Sequence, residues 1–239
     1  MEQVTVYNYK LILKNLVQYL PAKGIVILNS FFIIPLLTYF LDVKEVSIYV
    51  IALQLLNILC TCSSDWISKA VLRFYERYSY KDKRKEFIST ILCMSVFAYV
   101  MVVALLFIFK DSFAEHFAVN ASVLFLVGLL LIPCAIRQNI YQVLRTQNNY
   151  NLYTTSIIIY QLIFITLIIA ISRMLPNVTG ILLAMITAMF IIDIYMLKTF
   201  NCTYNFNFKI DTSILNEILI YGIPLAFTNI LYWFVLMNS

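Results

Sequence analysis

Polar side chains recur at intervals of three and four residues through one otherwise apolar stretch of this chain. They are Gln54, Asn57, Thr61, Ser64, Asp65, Ser68 and Lys69. At 100° per residue, this spacing places all of them on one face of a helix. Helix packing needs one or two hydrogen bonds and not a column three turns tall, so the pattern favours a wet face that contacts a polar ligand. The narrower alternative is that Asp65 and Lys69 form a helical ion pair near a membrane interface and only neutralise each other.

Four further charged residues lie within or beside apolar stretches, where charge is costly unless it is used. Lys23 either faces the polar column or extends its side chain along the lipid so that the ammonium group reaches the membrane–water interface. Arg137 and Arg145 are eight residues apart on one helix face, and together they suit phosphate or serve as topological anchors. Asp193 is a candidate for coupling to an ion, although a partner on another helix would explain it equally well.

The residues required for most enzymes and metal sites are scattered or missing. His116 is the only histidine, and the four glycines form no phosphate-binding loop. The five cysteines are read as small apolar side chains: Cys60, Cys62, Cys93, Cys134 and Cys202. We therefore expect no catalytic activity, no metal and no cofactor.

Seven apolar stretches have to position these side chains, the seventh being interpreted as the start of a further helix. They are residues 24–41, 46–62, 87–109, 117–136, 152–172, 179–197 and 218–237. Each is close to the ~20 residues that a helix needs to cross a bilayer. Hydrophobic residues make up 62%, charged residues 12%, and the mean hydropathy is +0.88. The composition predicts an all-α polytopic membrane protein and excludes a soluble domain.

Positive charges alternate between the loops on the two sides of the predicted membrane. Thirteen of the 17 Lys and Arg residues fall on the side of the N-terminus. Only Lys44, Lys110 and Arg173 fall on the other side, and Lys23, which lies inside the first helical region, is counted for neither. Because positive loops are retained in the cytoplasm, the N-terminus and the loop at residues 75–86 are predicted to be cytoplasmic. The net charge of +5 follows from this topology, so no nucleic-acid partner is expected.

Three segments carry a resemblance to a known family. They resemble the polysaccharide flippases, which move O-antigen, capsule and related lipid-linked sugar units. The first comprises residues 33–41 together with residues 65–75, the second residues 142–150 and the third residues 220–225. Asp42 and Asp65 stand where that family usually has glycine. The resemblance covers the whole chain, but the chain matches only the N-terminal half of such a transporter.

The resemblance implies a six-helix lobe at residues 1–200, a cytoplasmic linker at 201–217 and a truncated seventh helix at 218–239. It also implies flipping of undecaprenyl-diphosphate-linked oligosaccharides across the bacterial cytoplasmic membrane, with a C-terminal half or a second copy as partner. Multidrug export and a truncated, inactive product are the alternatives. The substrate-binding residues are then expected to be Lys23, Asn57, Thr61, Asp65, Lys69, Arg137 and Arg145, with Asp193 coupling to an ion.

Overall fold

The computed structural model describes residues 9–80, 83–117, 119–204 and 210–237, and nearly all of them are helical. In these residues nine α-helices and one π-helix follow in order: α1 Tyr9–Phe40, α2 Val43–Cys60, the π-helix Thr61–Asp65, α3 Trp66–Tyr80, α4 Arg84–Ile108, α5 Lys110–Phe117, α6 Ala121–Thr146, α7 Tyr150–Ser172, α8 Val178–Tyr204 and α9 Thr212–Met237.

Six helical segments are long and apolar enough to cross a membrane. They are Leu16–Phe40, Val43–Tyr80, Arg84–Ile108, Ala121–Thr146, Tyr150–Ser172 and Val178–Thr199. Each exceeds the ~20 residues that a bilayer core requires. The predicted class, an all-α polytopic membrane protein, is confirmed.

Two predicted connections are helical over most of the residues that the structure describes. The prediction of a loop at residues 75–86 is wrong for most of its length, because α2, the π-helix and α3 run without interruption to Tyr80. Phe74, Tyr75 and Tyr78 are buried along one side of α3, and Tyr78 stacks on Phe87 of α4 with ring centroids 5.1 Å apart. Packing of this amphipathic face, rather than hydropathy, extends the helix beyond the apolar stretch. Similarly, α8 continues to Tyr204 and α9 begins at Thr212, within the expected linker.

Helix α6 forms the centre of the bundle. Val127, Leu130, Leu131 and Ile140 on this helix are at most 2% exposed. Helices α2, α3, α4, α7 and α8 all pack against it. Helix α1 instead packs mainly on α7, and many of its large apolar side chains are exposed.

Contacts between helix termini define two ends of the bundle. At one, the basic end, Lys83 before α4 pairs with Asp211 before α9 at 2.9 Å. There, Gln147 Nε2 at the α6–α7 turn donates to the Tyr75 hydroxyl at 2.6 Å. At the opposite end, the backbone N–H of Val178 donates to Glu45 Oε2 at 2.7 Å.

The exposed cations follow these two ends. Seven of the described residues project from the basic end: Arg73, Arg77, Lys83, Arg84, Lys85, Arg145 and Lys198. Lys44, Lys110 and Arg173 lie at the other, and Lys23 is exposed along the length of α1. Lys81 and Lys209 are outside the described residues, as are the side chains of Lys10 and Lys14. The alternation of charge read from the sequence therefore corresponds to the two ends of one helical bundle.

Candidate functional site

The site centres on the π-helix that joins α2 to α3. Cys62 and Ser64 belong to the π-helix, and Cys60 directly precedes it. The Ser64 hydroxyl donates to the Cys60 carbonyl at 3.2 Å. A π-helical turn inserts one extra residue into a helix, which rotates the side chains that follow, and such turns are frequent at functional sites. The polar column predicted as one face is consequently divided between different neighbours.

One part of the column is sealed inside the bundle. Ser68 Oγ donates to Asn139 Oδ1 at 2.9 Å, and Asn139 Nδ2 donates to Ser95 Oγ at 2.7 Å. These three side chains are between 0% and 6% exposed and join α3, α6 and α4. Because every link is a satisfied interhelical hydrogen bond, this part of the column fixes the packing of the three helices.

A second part of the column is accessible and carries charge. Lys69 Nζ lies 2.9 Å from Asp65 Oδ2, which confirms the predicted ion pair. Asn229 Nδ2 on α9 donates to the same carboxylate oxygen at 3.0 Å, while Lys69 Nζ donates to Asn229 Oδ1 at 3.1 Å. Gln138 Nε2 on α6 lies 3.3 Å from Asp65 Oδ1 and completes what we call the charged cluster, namely Asp65, Lys69, Gln138 and Asn229. The Lys69 side chain remains 41% exposed and that of Asp65 30% exposed, so a ligand can reach both charges.

The remaining part of the column lies nearer the opposite end. Gln54 and Asn57 are exposed, and Thr61 is half-buried. The Thr61 hydroxyl donates to the Asn57 carbonyl at 2.8 Å, which satisfies its donor within the helix. Asn57 and Thr61 thus continue from the charged cluster as accessible polar groups.

Close approach of α9 to the first residue of α3, directly after the π-helix, positions Asn229. A Cβ atom placed on Gly222 would overlap the indole ring of Trp66. The Trp66 indole donates to the Cys62 carbonyl at 3.1 Å, so its polar atom is satisfied inside the helix. Only glycine leaves room for this contact between the two helices.

Two of the predicted phosphate-binding cations meet at one tyrosine of α1. Lys23 Nζ lies 5.6 Å from the centroid of the Tyr19 ring, and the Arg145 guanidinium lies 5.7 Å from it. Tyr19 is held by stacking on Tyr153 of α7, with centroids 5.5 Å apart. Tyr19, Arg145 and Tyr150 line an open cavity of about 240 Å³ at the basic end. We call Tyr19, Lys23 and Arg145 the cationic pocket.

Arg137 does not join the other two cations, although it shares α6 with Arg145. Its guanidinium packs 4.4 Å from the centroid of Tyr160 on α7. One of its terminal nitrogens is buried and, among the described residues, has no hydrogen-bond partner. The expectation that Arg137 binds substrate phosphate together with Arg145 therefore finds no support in their placement.

Asp193 on α8 is 3% exposed, and neither carboxylate oxygen has a hydrogen-bond partner within the described part of the chain. Its charge and that of Arg137 interact electrostatically. No ion pair joins them among the described residues, however, because their charged atoms are more than 4.0 Å apart. A buried carboxylate left this way has to bind a proton, a cation or water to offset its desolvation.

Several residues of the site escape sequence reasoning. Asn229 is a lone amide in an apolar helix, Gln138 and Asn139 are neighbours in another, and nothing near them in sequence marks their partners. Tyr19 is one of 17 tyrosines. The available signal was the pair Gln138 and Asn139 beside Arg137, since three consecutive polar residues inside an apolar helix must contact other helices.

Comparison with known proteins gives one match. The family model described as polysaccharide biosynthesis protein covers residues 12–237. No curated protein and no solved structure matches the chain.

Proposed function

The chain belongs to the polysaccharide biosynthesis protein family, and from that premise we propose that it flips lipid-linked oligosaccharide units across the bacterial cytoplasmic membrane. The substrate is an undecaprenyl-diphosphate-linked oligosaccharide used for surface polysaccharide such as O-antigen or capsule. The protein supplies a polar path for the sugar and diphosphate while the lipid chain stays in the bilayer. Such transport needs no catalytic residue.

The observation that carries this proposal is the convergence of Lys23 and Arg145 on Tyr19. Two cations from two different helices, each less than 6 Å from the centroid of the same aromatic ring, suit a diphosphate. A second open cavity of about 570 Å³ adjoins them across the α6–α7 turn, and its lining includes Tyr75, Arg84 and Gln147. Tyrosine rings, amides and an arginine can contact both the apolar faces and the hydroxyls of a sugar.

The charged cluster and the exposed part of the polar column provide the path onward. Asp65 and Lys69 are partly exposed, and Asn57 and Thr61 extend the accessible polar surface along α2. Hydroxyl and amide groups in this arrangement exchange hydrogen bonds with successive sugar hydroxyls. We assign these four residues to the sugar path.

Energy coupling is assigned to Asp193 together with Arg137. Asp193 is the buried carboxylate without a hydrogen-bond partner in the described residues, and Arg137 is the cation whose field reaches it. Uptake and release of a cation or proton at Asp193 would change the charge balance between α6 and α8. Arg137 is reassigned to this pair because it is buried on Tyr160 and separate from the cationic pocket.

Polar side chains exposed at membrane depth require a second body to cover them. Gln54 and Asn57 lie inside the segment Val43–Tyr80, which is apolar enough to span the membrane, and both are exposed. Amide groups against lipid are costly. We propose that a C-terminal half or a second copy of this chain faces them, so that rocking of the two bodies opens the path to each side in turn.

The proposal is tested by deleting the gene in its own host. We expect surface polysaccharide to be lost while susceptibility to a panel of toxic cations and dyes stays unchanged. Restoration should require Lys23 and Arg145, whereas Arg173→Gln, an exposed cation at the opposite end, should restore normally. Unchanged polysaccharide with raised drug susceptibility would instead identify a multidrug exporter.

A further inference from the structure

Three cations follow one side of α3. Lys69, Arg73 and Arg77 are four residues apart, so neighbours lie on adjacent turns, about 6 Å apart along the helix axis. The Lys69 side chain is 41% exposed, that of Arg77 is 54% exposed, and Arg73 is exposed as well. We call these three residues the cation row. Like charges at this spacing destabilise a helix, so the row requires anions beside it.

Helix α9 runs antiparallel to α3 along the cation row. Each cation contacts a different residue of α9, the pairs being Lys69–Asn229 at 3.1 Å, Arg73–Tyr221 with the ring centroid at 4.5 Å, and Arg77–Glu217. Glu217 directly precedes the apolar stretch of α9, whereas Asn229 lies well inside that stretch. The row therefore leads from the membrane boundary at the basic end into the bundle. Cations exposed there have to face water or a polar partner, because charge against lipid is costly.

The charges along the row do not balance. Lys69 and Arg77 each pair with a carboxylate, namely Asp65 at 2.9 Å and Glu217. Among the described residues no carboxylate pairs with Arg73. Three cations thus face two carboxylates, and the remaining positive charge is on the middle residue. Arginine stays charged at physiological pH and presents five N–H donors in a planar fork, so Arg73 can bind an anion.

The Glu217 carboxylate indicates which ligand chemistry suits the outer end of the row. It accepts hydrogen bonds from Arg77 and from the Tyr78 hydroxyl. The Glu217 side chain is 30% exposed, and exposed ion pairs are weak. The oxygen atoms of a diphosphate accept from the same donors and carry more charge, so a diphosphate can take the place of Glu217 on Arg77.

We propose that Arg73 and Arg77 form a second site for the diphosphate of the lipid-linked substrate, and that Glu217 occupies Arg77 until the diphosphate displaces it. The identity of the ligand rests on the proposed function. The two phosphates engage two arginines on adjacent turns, each through paired N–H donors. Lys69 continues the row to the charged cluster, so the site connects the head-group level with the sugar path. Its helices, α3 and α9, are not those of the cationic pocket.

Native mass spectrometry of the full chain, released from detergent micelles, tests this by counting the lipids bound to each molecule. The chain carries Lys23→Gln and Arg145→Gln, which remove both charges of the cationic pocket and leave the cation row as the site to be measured. Undecaprenyl diphosphate is titrated into this protein. Inorganic pyrophosphate is titrated in parallel, because it offers the same anion without the lipid.

We expect one undecaprenyl diphosphate to bind per chain in this background. Arg73→Gln should raise its Kd about tenfold, because the cation without a carboxylate partner is lost. Glu217→Gln should lower the Kd about threefold, because the competing carboxylate is lost. Lys85→Gln, at an exposed cation of α4 at the same end, is the matched control and should leave the Kd unchanged. Arg73→Lys, which keeps the charge but not the fork, replaces Arg73→Gln if that variant does not fold, and it should also raise the Kd.

Equal Kd values for Arg73→Gln and Lys85→Gln would overturn the inference, as would weaker binding by Glu217→Gln or the absence of bound lipid in this background. Pyrophosphate bound as tightly as the lipid would also overturn it, since the row would then be a site for a soluble anion. The binding readout needs no transport. A chain that binds the lipid at the row, in a host whose surface polysaccharide survives deletion of the gene, would contradict the proposed function alone.

Discussion

At the scale of single residues, the partner of the charged cluster is Asn229. Its amide donates to Asp65 Oδ2 at 3.0 Å and accepts from Lys69 at 3.1 Å, so one side chain bridges both charges. Hydrogen bonds to charged groups contribute about 1.5–3 kcal/mol when buried. Because Asp65 and Lys69 are partly exposed, water can replace some of these hydrogen bonds, and the contribution to stability is smaller.

We therefore expect Asn229→Ala to lower the free energy of unfolding by about 1–2 kcal/mol. Thermal unfolding of the purified chain in a mild detergent measures it. Asn216→Ala, an exposed position on the same helix, is the matched control and should change stability by less than about 0.5 kcal/mol. Equal effects of the two substitutions would mean that α9 does not dock on the charged cluster.

Asp193 presents the opposite situation, a buried carboxylate that receives no hydrogen bond from the described residues. Asp193→Asn keeps the shape but removes the charge, so the variant should fold at least as stably as the wild type. If Asp193 couples transport to an ion, the host carrying this variant should lose surface polysaccharide. Asp111→Asn, on the exposed helix α5, should not. Full polysaccharide output from Asp193→Asn would remove Asp193 from the mechanism.

Residue-level prediction succeeded where partners are close in sequence. The Asp65–Lys69 pair follows from four-residue spacing on one helix, and it forms. Asn229 lies 160 residues from Lys69, and nothing in local spacing connects them. The spacing of Arg137 and Arg145 predicts one shared helix face, yet Arg137 packs on Tyr160 of α7 and Arg145 lies near Tyr19 of α1.

At the scale of helices, the contact between Gly222 of α9 and Trp66 of α3 brings α9 close to the charged cluster. Gly222→Ala would drive a methyl group into the Trp66 ring, so either the ring or the two helices α9 and α3 must shift. We expect a loss of about 1–3 kcal/mol in unfolding free energy, as for other overpacked contacts.

Gly24→Ala on α1 provides the control for this prediction, because no heavy atom lies within 4 Å of the added Cβ. It should leave stability unchanged or raise it by up to about 1 kcal/mol, since alanine favours helix. Both changes are read from the same thermal unfolding assay. A Gly222→Ala protein as stable as the Gly24→Ala protein would show that α9 does not approach α3 closely at Trp66.

Hydropathy was sufficient to predict the membrane-spanning helices but not where they end. A window of apolar residues identifies a span, whereas α3 carries Lys69, Arg73 and Arg77 and is helical because its other side packs on α4 and α6. The π-helix could not be predicted for a related reason. An extra residue in a helix is tolerated where tertiary contacts hold it, and here those contacts come from α4, α6 and α9.

At the scale of the whole molecule, the orientation of the bundle remains a prediction from the positive-inside rule. Single cysteines in a background without the five native ones can test it. Tyr80→Cys at the basic end and Met174→Cys at the opposite end replace side chains that are 90% and 82% exposed. We expect an impermeant thiol reagent to label Met174→Cys from outside intact cells and Tyr80→Cys only after permeabilisation. The reverse pattern would invert the topology.

We propose that the chain moves a lipid-linked oligosaccharide between leaflets through the cationic pocket. The most direct measurement is the leaflet distribution of that lipid in spheroplasts of the host, read from the fraction accessible to an impermeant sugar-binding protein. Without the gene, or with Lys23→Gln and Arg145→Gln together, we expect the lipid to accumulate where the probe does not reach it. The wild-type chain and Arg173→Gln should return it to the outer leaflet. An unchanged distribution after deletion of the gene would show that the chain does not move this lipid.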